Sequence, residues 1–334
     1  MMGRAPRSWA LPPLRPTIDA ALRDVASSDP KYRAMAAEAL GEATQERSEE
    51  AVAGLAKLIR DEAVDVRSSA ASSLGLLGGA AAATALVAAA GDSDRSVRIR
   101  VLDALCRLEH VGAEPIAVRA SEDPDKAVRE ASASALVHLA GRRALPRLTA
   151  LARDPEPAVR AAAAAALGEF AEEAAASLAA LLADPATEVR TEAAFSLAPI
   201  GARVALPVLV SLLQSRADRR DAAYALGRLG DKAAAKPLRQ LLDRLFLDRW
   251  TRVTAAAALA RLGEPAGVRA LIEILEKRRW DAVAFAAEEA ASLGLGEAIP
   301  AIRRLAARPP RALGSAPFEK ALSALLGESP PEAA

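Results

Sequence analysis

The feature that most limits what this chain can become is a period. An arginine that follows an apolar landmark recurs at Arg67, Arg98, Arg129, Arg160 and Arg190, at intervals of 31, 31, 31 and 30 residues. Weaker copies place Arg33 before the series and Arg219 and Arg252 after it, and a ninth copy, "AFAAEEAASLGLG", has Ala286 at the arginine position. A repeat of this length cannot bury an apolar face alone, so it predicts a stacked array in which each unit completes its neighbour's core.

Each unit reads as two helices. In "GRRALPRLTALARDP" the residues Leu145, Leu148 and Leu151 recur at helical spacing, and Asp-Pro then ends the helix, because the residue before proline is pushed out of the α region. The second helix begins near residues able to cap its free N–H groups, such as Asp94 and Asp125. Counting from the landmark V, the fourth, fifth and eighth positions after it form one apolar stripe. Alanine at V+4 and V+5 predicts close approach to the neighbouring helices, and leucine at V+8 supplies volume. "LGRLGDK" contains the glycine that turns the chain into the next unit.

Composition agrees with closely packed helices. Hydrophobic residues make up 52% of the 334 but aromatics only 3%, so the apolar content is mostly alanine and leucine, which favour helix over strand. Lys plus Arg (44) nearly balances Asp plus Glu (43), net +1, which does not favour nucleic acid as a partner. The charge is uneven: residues 1–200 carry 23 basic and 28 acidic groups, and residues 201–334 carry 21 and 15. Cys106 is the only cysteine, so no intrachain disulfide forms and a reducing compartment, the cytoplasm, is expected. The Pro- and Arg-containing start lacks the apolar core of a secretory signal, and no run is apolar enough for membrane insertion.

An aspartate stands six residues before each of five arginines, giving Asp61/Arg67, Asp92/Arg98, Asp123/Arg129, Asp154/Arg160 and Asp184/Arg190. Five recurrences predict a charged ladder between neighbouring units that sets their register, not a catalytic group.

The stretch "LPRLTALARDPEPAVRAAAAAALGEF" resembles a HEAT repeat of the short kind, similar to the HEAT-like repeats of phycobilisome lyases. The resemblance implies an all-α, armadillo-like helical solenoid, a superhelical array of about ten helical hairpins. It sets the domain boundaries: a Pro/Arg-rich leader over 1–16, expected to be disordered; a continuous solenoid over 17–326; and a disordered tail over 327–334.

Chemical machinery is sparse. The sequence has no G-x-x-x-x-G-K-[ST], G-x-S-x-G or C-x-x-C motif. "GLGEA" (294–298) lacks a third glycine and lies in an inter-repeat turn. Cys106 and His110 are four apart with His138 in the next repeat; without a second cysteine or recurrent His–Glu pairs, no metal and no cofactor are expected. HEAT-like deoxyhypusine hydroxylases need such pairs for iron. HEAT-like alkylpurine DNA glycosylases use aromatic and acidic residues on a basic surface, for which Trp250, Trp280 and Asp248 invite comparison.

In such an array the second helices line the concave side, where V+3, V+6 and V+10 should face away from the core. Phe195 and Tyr224 stand at V+6 of adjacent repeats, Arg228 and Arg261 at V+10, and Glu192 and Asp221 at V+3. Tyrosine and arginine are enriched in interface hot spots, so this cluster is the expected partner-binding site. The expected function is a non-catalytic protein-interaction scaffold or adaptor with a protein partner. Two alternatives stand beside it: a nucleic-acid-binding or glycosylase-like HEAT protein using the basic C-terminal half, and a lyase-type chaperone for a cofactor-bearing protein. A second feature is "LFLDRW", Leu245–Trp250, where the spacing lengthens to 33. Phe246 and Trp250 are expected to plug the stack there.

Overall fold

The computed structural model describes residues 16–277 and 282–327. The expected leader and tail therefore lie outside the described residues except for Pro16 and Gly327, as does Trp280. Among the described residues there are twenty α-helices, joined by turns and short 3-10 segments, and no strand. The chain divides into two compact units, Met1–Ala166 and Leu167–Ala334.

The first unit pairs α1 (Ile18–Asp24) with α2 (Pro30–Leu40), α3 (Ser48–Leu58) with α4 (Val64–Leu77), α5 (Gly79–Ala89) with α6 (Arg95–Arg107), and α7 (Glu114–Ala120) with α8 (Lys126–Ala140). These are followed by α9 (Leu145–Leu151) and α10 (Pro157–Gly168). The second helices α2, α4, α6 and α8 pack in series. The second unit pairs α11 (Ala171–Leu181) with α12 (Thr187–Leu197), α13 (Leu206–Leu212) with α14 (Arg219–Leu229), and α15 (Ala235–Leu242) with α16 (Arg249–Arg261). It ends with α17 (Pro265–Glu276) on α18 (Val283–Ser292) and α19 (Ile299–Ala307) on α20 (Ala316–Leu326).

Capping is as the sequence indicates. The carboxylates of Asp29, Asp94 and Asp125 accept from the backbone N–H groups of Lys31, Ser96 and Ala127 at 2.9, 2.8 and 2.8 Å. Gly230 closes α14 in the left-handed region at φ 72°, a conformation costly for any residue with a Cβ. The leucines at V+8 form the spine: Leu40, Leu74, Leu105, Leu136, Leu167, Leu197, Leu226 and Leu259 are all fully buried. Each contributes roughly 1.5–3 kcal/mol of apolar burial. Beside them V+4 and V+5 are buried alanines in most repeats, among them Ala36, Ala37, Ala163, Ala164, Ala193 and Ala194. Half of the six-alanine run, Ala163, Ala164 and Ala166, is therefore core, while Ala165 is exposed.

Glycine at V+9 does more than turn the chain. A Cβ on Gly75 would lie 2.7 Å from Ala104 Cβ, and one on Gly227 2.9 Å from Ala258 Cα. The glycine of one second helix thus seats the next one. Cys106 occupies this position in its own repeat, and His110 lies in the turn that follows.

The ladder of the first unit joins neighbours. Arg67 donates through Nε and Nη2 to both carboxylate oxygens of Asp92, 25 residues on, at 2.7 and 2.9 Å. Its Nη1 binds the backbone carbonyls of Asp61 and Glu62 in its own turn. Asp92 also accepts from the N–H of Asp94. Arg33 with Asp61, Arg98 with Asp123 and Arg129 with Asp154 repeat the arrangement.

Two expectations need correction. Phe246 does not plug the stack: it is 98% exposed and Leu245 89%, while Leu247 is the buried residue of the segment. Nor does every V+3 and V+6 position face away from the core. On α16, Thr254 and Ala257 are 5% and 2% exposed, and the whole run Val253–Leu259 is buried. The cause lies on the next hairpin, where Phe285 packs on the cluster that contains Ala257 and meets the Trp250 ring at 5.6 Å. A helix covered on all sides is apolar all round, which is what "VTAAAALA" provides.

Candidate functional site

The expected partner-binding residues lie on three successive second helices of the second unit. On α14, Tyr224 is 46% exposed, and Arg228 one turn later donates Nη1–H toward the tyrosine hydroxyl at 3.4 Å. Asp221, one turn earlier on the same face, is exposed beside Arg220. Helical spacing alone brings these three together. They rest on a rigid base, since Ala222, Ala223, Ala225 and Leu226 of α14 are buried.

The neighbours are more enclosed. Phe195 and Glu192 on α12 are half-buried, and burial pushes the Glu192 carboxyl above its ordinary range. Arg261 on α16 is half-buried too, and its Nη2 stands 3.8 Å from Glu289 Oε2. Glu289 occupies V+4 of α18, a core position that is alanine in most repeats. Burial raises its carboxyl pKa, Arg261 opposes this, and Glu288 adds to it. Among the described residues, nothing donates a hydrogen bond to its buried Oε2.

Sequence reasoning singled out Asp248 and Trp250 for another purpose; in the structure Asp248 caps α16 and Trp250 packs on Phe285. Asp248 accepts from the Thr251 N–H at 2.9 Å as the cap of α16. Burial acts against that carboxylate, but hydrogen bonds from Thr251 hold it below the usual range. Among the described residues, no three His, Cys, Asp or Glu side chains cluster as a metal site would require. No helix there is long and apolar enough to cross a membrane.

Two grooves were not legible in the sequence. One, of about 1080 Å³ in the first unit, gathers the V+6 and V+10 residues Glu38, Ser72 and Leu76. The other, of about 690 Å³ in the second unit, lies against the Leu245–Leu247 segment and is rich in arginine.

Hairpins stacked through small residues, with the exposed side of their second helices as the available face, define an all-α solenoid. The chain belongs to the HEAT-repeat family: HEAT-repeat sequence matches run over residues 16–106, 84–168, 113–198, 148–225, 175–244 and 206–292. No curated protein matches it significantly in sequence. Among solved structures, YibA from E. coli is similar at a TM-score of 0.56 and 23% identity, covering 73% of this chain and 92% of YibA. The CpcE–CpcF complex of phycocyanin lyase from Nostoc sp. PCC7120 aligns at 0.44 and 21% identity, covering 88% of this chain and 100% of that one. Importin beta aligns at 0.49 and 14%, covering 92% of this chain and 50% of importin beta. These likenesses are of fold.

Proposed function

We propose that this protein is a non-catalytic scaffold or adaptor that binds a protein partner on the exposed face of its second helices, centred on Tyr224 and Arg228. The supporting observation is an uncovered tyrosine touching an exposed arginine on a helix whose opposite side is fully packed. A rigid aromatic with few torsions loses little entropy on binding, and Tyr and Arg dominate interface hot spots. Asp221 supplies an acidic group for orientation on the same helix, while Phe195, Glu192 and Arg261 extend the face onto its neighbours.

The test is a nuclease-treated affinity capture from native lysate, read by mass spectrometry, with wild type compared against Tyr224→Ala/Arg228→Glu. Both positions are exposed, so the variant should fold. A protein retained by wild type and lost by the variant supports the reading. An identical partner list removes this face from it, and nucleic acid alone in an untreated control replaces it with a nucleic-acid role.

A further inference from the structure

The groove of about 1080 Å³ in the first unit starts at Pro16, the first described residue, and crosses α2 and α4 to Arg100 on α6. Its larger apolar side chains are Met35, half-buried, and Leu76, which is 61% exposed. Glu38 and Asp65 are exposed, and among the described residues neither meets a cation. The third carboxylate of the lining, Glu42, has a partner. Ser68, Ser69 and Ser72 of α4 also line the groove, half-buried, and among the described residues their hydroxyls make no hydrogen bond. Ser121 and Ser132, by contrast, donate to backbone carbonyls of their own turn.

The segment that runs into this groove has matching chemistry. Residues 1–15, "MMGRAPRSWALPPLR", carry Arg4, Arg7 and Arg15 and no carboxylate. Trp9, Leu11 and Leu14 supply apolar bulk, and Pro6, Pro12 and Pro13 favour an extended chain, whose backbone carbonyls have no internal hydrogen-bond partner. Ten extended residues reach about 33 Å. The helices α2 and α6 each pack on α4, which sets them roughly 20 Å apart at about 8–10 Å per helix pair. Attachment at Pro16 keeps the segment at about millimolar effective concentration beside the groove, so weak contacts suffice.

We propose that residues 1–15 dock in this groove as a built-in ligand that covers the exposed side of α2 and α4. Arginines of the segment pair with Glu38 and Asp65, its apolar side chains lie on Met35 and Leu76, and its carbonyls accept from the serine hydroxyls. Arg100 ends the acidic stretch and so marks how far the segment's cations run. A partner that uses this groove has to displace the segment. The groove is separate from the Tyr224 face, and its test does not depend on that face.

Full-length protein is prepared with fluorotryptophan, and the Trp9 fluorine resonance is assigned as the one lost in Trp9→Phe. Its relaxation by a soluble gadolinium chelate reads exposure, with the synthetic peptide of residues 1–15 as the fully exposed reference. Trp9 of wild type should relax several-fold less than the peptide, at every protein concentration. Glu38→Lys/Asp65→Lys alters two exposed residues; it should bring Trp9 to the peptide's value while the circular dichroism stays that of wild type. Adding Arg4→Glu/Arg7→Glu/Arg15→Glu to that variant should restore the protection, because the charges are then exchanged. The proposal is overturned if wild-type Trp9 is as exposed as the peptide, if the double variant keeps its protection, or if the exchange does not restore it. Protection that fades on dilution would overturn it too, since the segment would then sit on a second copy of the chain.

Discussion

Arg129 grips Asp154 with two parallel hydrogen bonds of 2.8 and 3.0 Å, and the two side chains are only 15% and 7% exposed. The remaining nitrogen, Nη1, holds the carbonyls of Asp123 and Pro124. One guanidinium therefore ties its own turn to the turn of the next repeat. Such a pair behaves as a buried one, where loss of a partner is far costlier than at an exposed pair.

Arg129→Ala should cost roughly 2–4 kcal/mol, felt locally because repeat units contribute nearly additively. Amide exchange should accelerate in α8 and in the turn before α10, with the α14 face and its ligand binding unchanged. Unaltered protection there would remove the ladder from the account of stability.

Gly75→Ala tests the seating of one second helix on the next. Alanine gains about 1 kcal/mol of helix propensity over glycine, but its Cβ would lie 2.7 Å from Ala104 Cβ and 2.9 Å from Ala104 Cα. Overpacking costs about 1–3 kcal/mol, and since a backbone atom is involved the upper range applies. Urea denaturation should show a lower midpoint. Gly91→Ala, with nothing within 4 Å of the new Cβ, should be neutral or slightly stabilising.

Glu289 and Asp61 respond to pH in opposite directions. Burial holds the Glu289 carboxyl above its ordinary value, Arg261 notwithstanding, so its stability contribution is complete below about pH 4.3 and is lost as pH rises through the raised value. The hydrogen bond from Arg33 holds Asp61 below its ordinary value against the effect of burial. Its contribution is present above about pH 3.9 and is lost as pH falls through the lowered value. Glu289→Gln should therefore stabilise the protein at pH 7, by up to about 1 kcal/mol, with the gain shrinking toward pH 4. Urea midpoints across that range check both sign and trend.

Cys106 reports on the first unit. Burial, with a smaller contribution from Asp103, pushes its thiol up to about 11. The thiolate is the reactive form, so iodoacetamide at pH 8 should modify folded protein about a hundredfold more slowly than unfolded chain. Equal rates would mean that the helix opens freely.

The loop before α16 divides sharply by residue. Leu247→Ala should cost about 2 kcal/mol or more, since Leu247 is 8% exposed. Phe246→Ser should change stability by less than about 0.5 kcal/mol, and a larger drop in thermal midpoint would show that the ring is covered in solution.

The sequence alone determined the period, the two-helix unit, the caps and the spine of V+8 leucines. These follow from local rules: 3.6-residue periodicity, aspartate before a helix, and a breaker after one. It also pointed to a ladder between units, because the arginine–aspartate spacing recurs in five copies. What only tertiary structure decided is which partner each side chain meets. Arg67 bonds the carboxylate of Asp92, 25 residues away, and only the carbonyl of Asp61, six away, because the turn directs Asp61's own carboxylate to the preceding repeat. The same holds for exposure. Ala165 and Ala257 occupy the same V+6 position, yet one is open and the other buried. A residue's place in the repeat sets its direction from the helix axis, but whether anything lies in that direction depends on the next hairpin. At α16 the Phe285–Trp250 contact covers a face that elsewhere meets solvent.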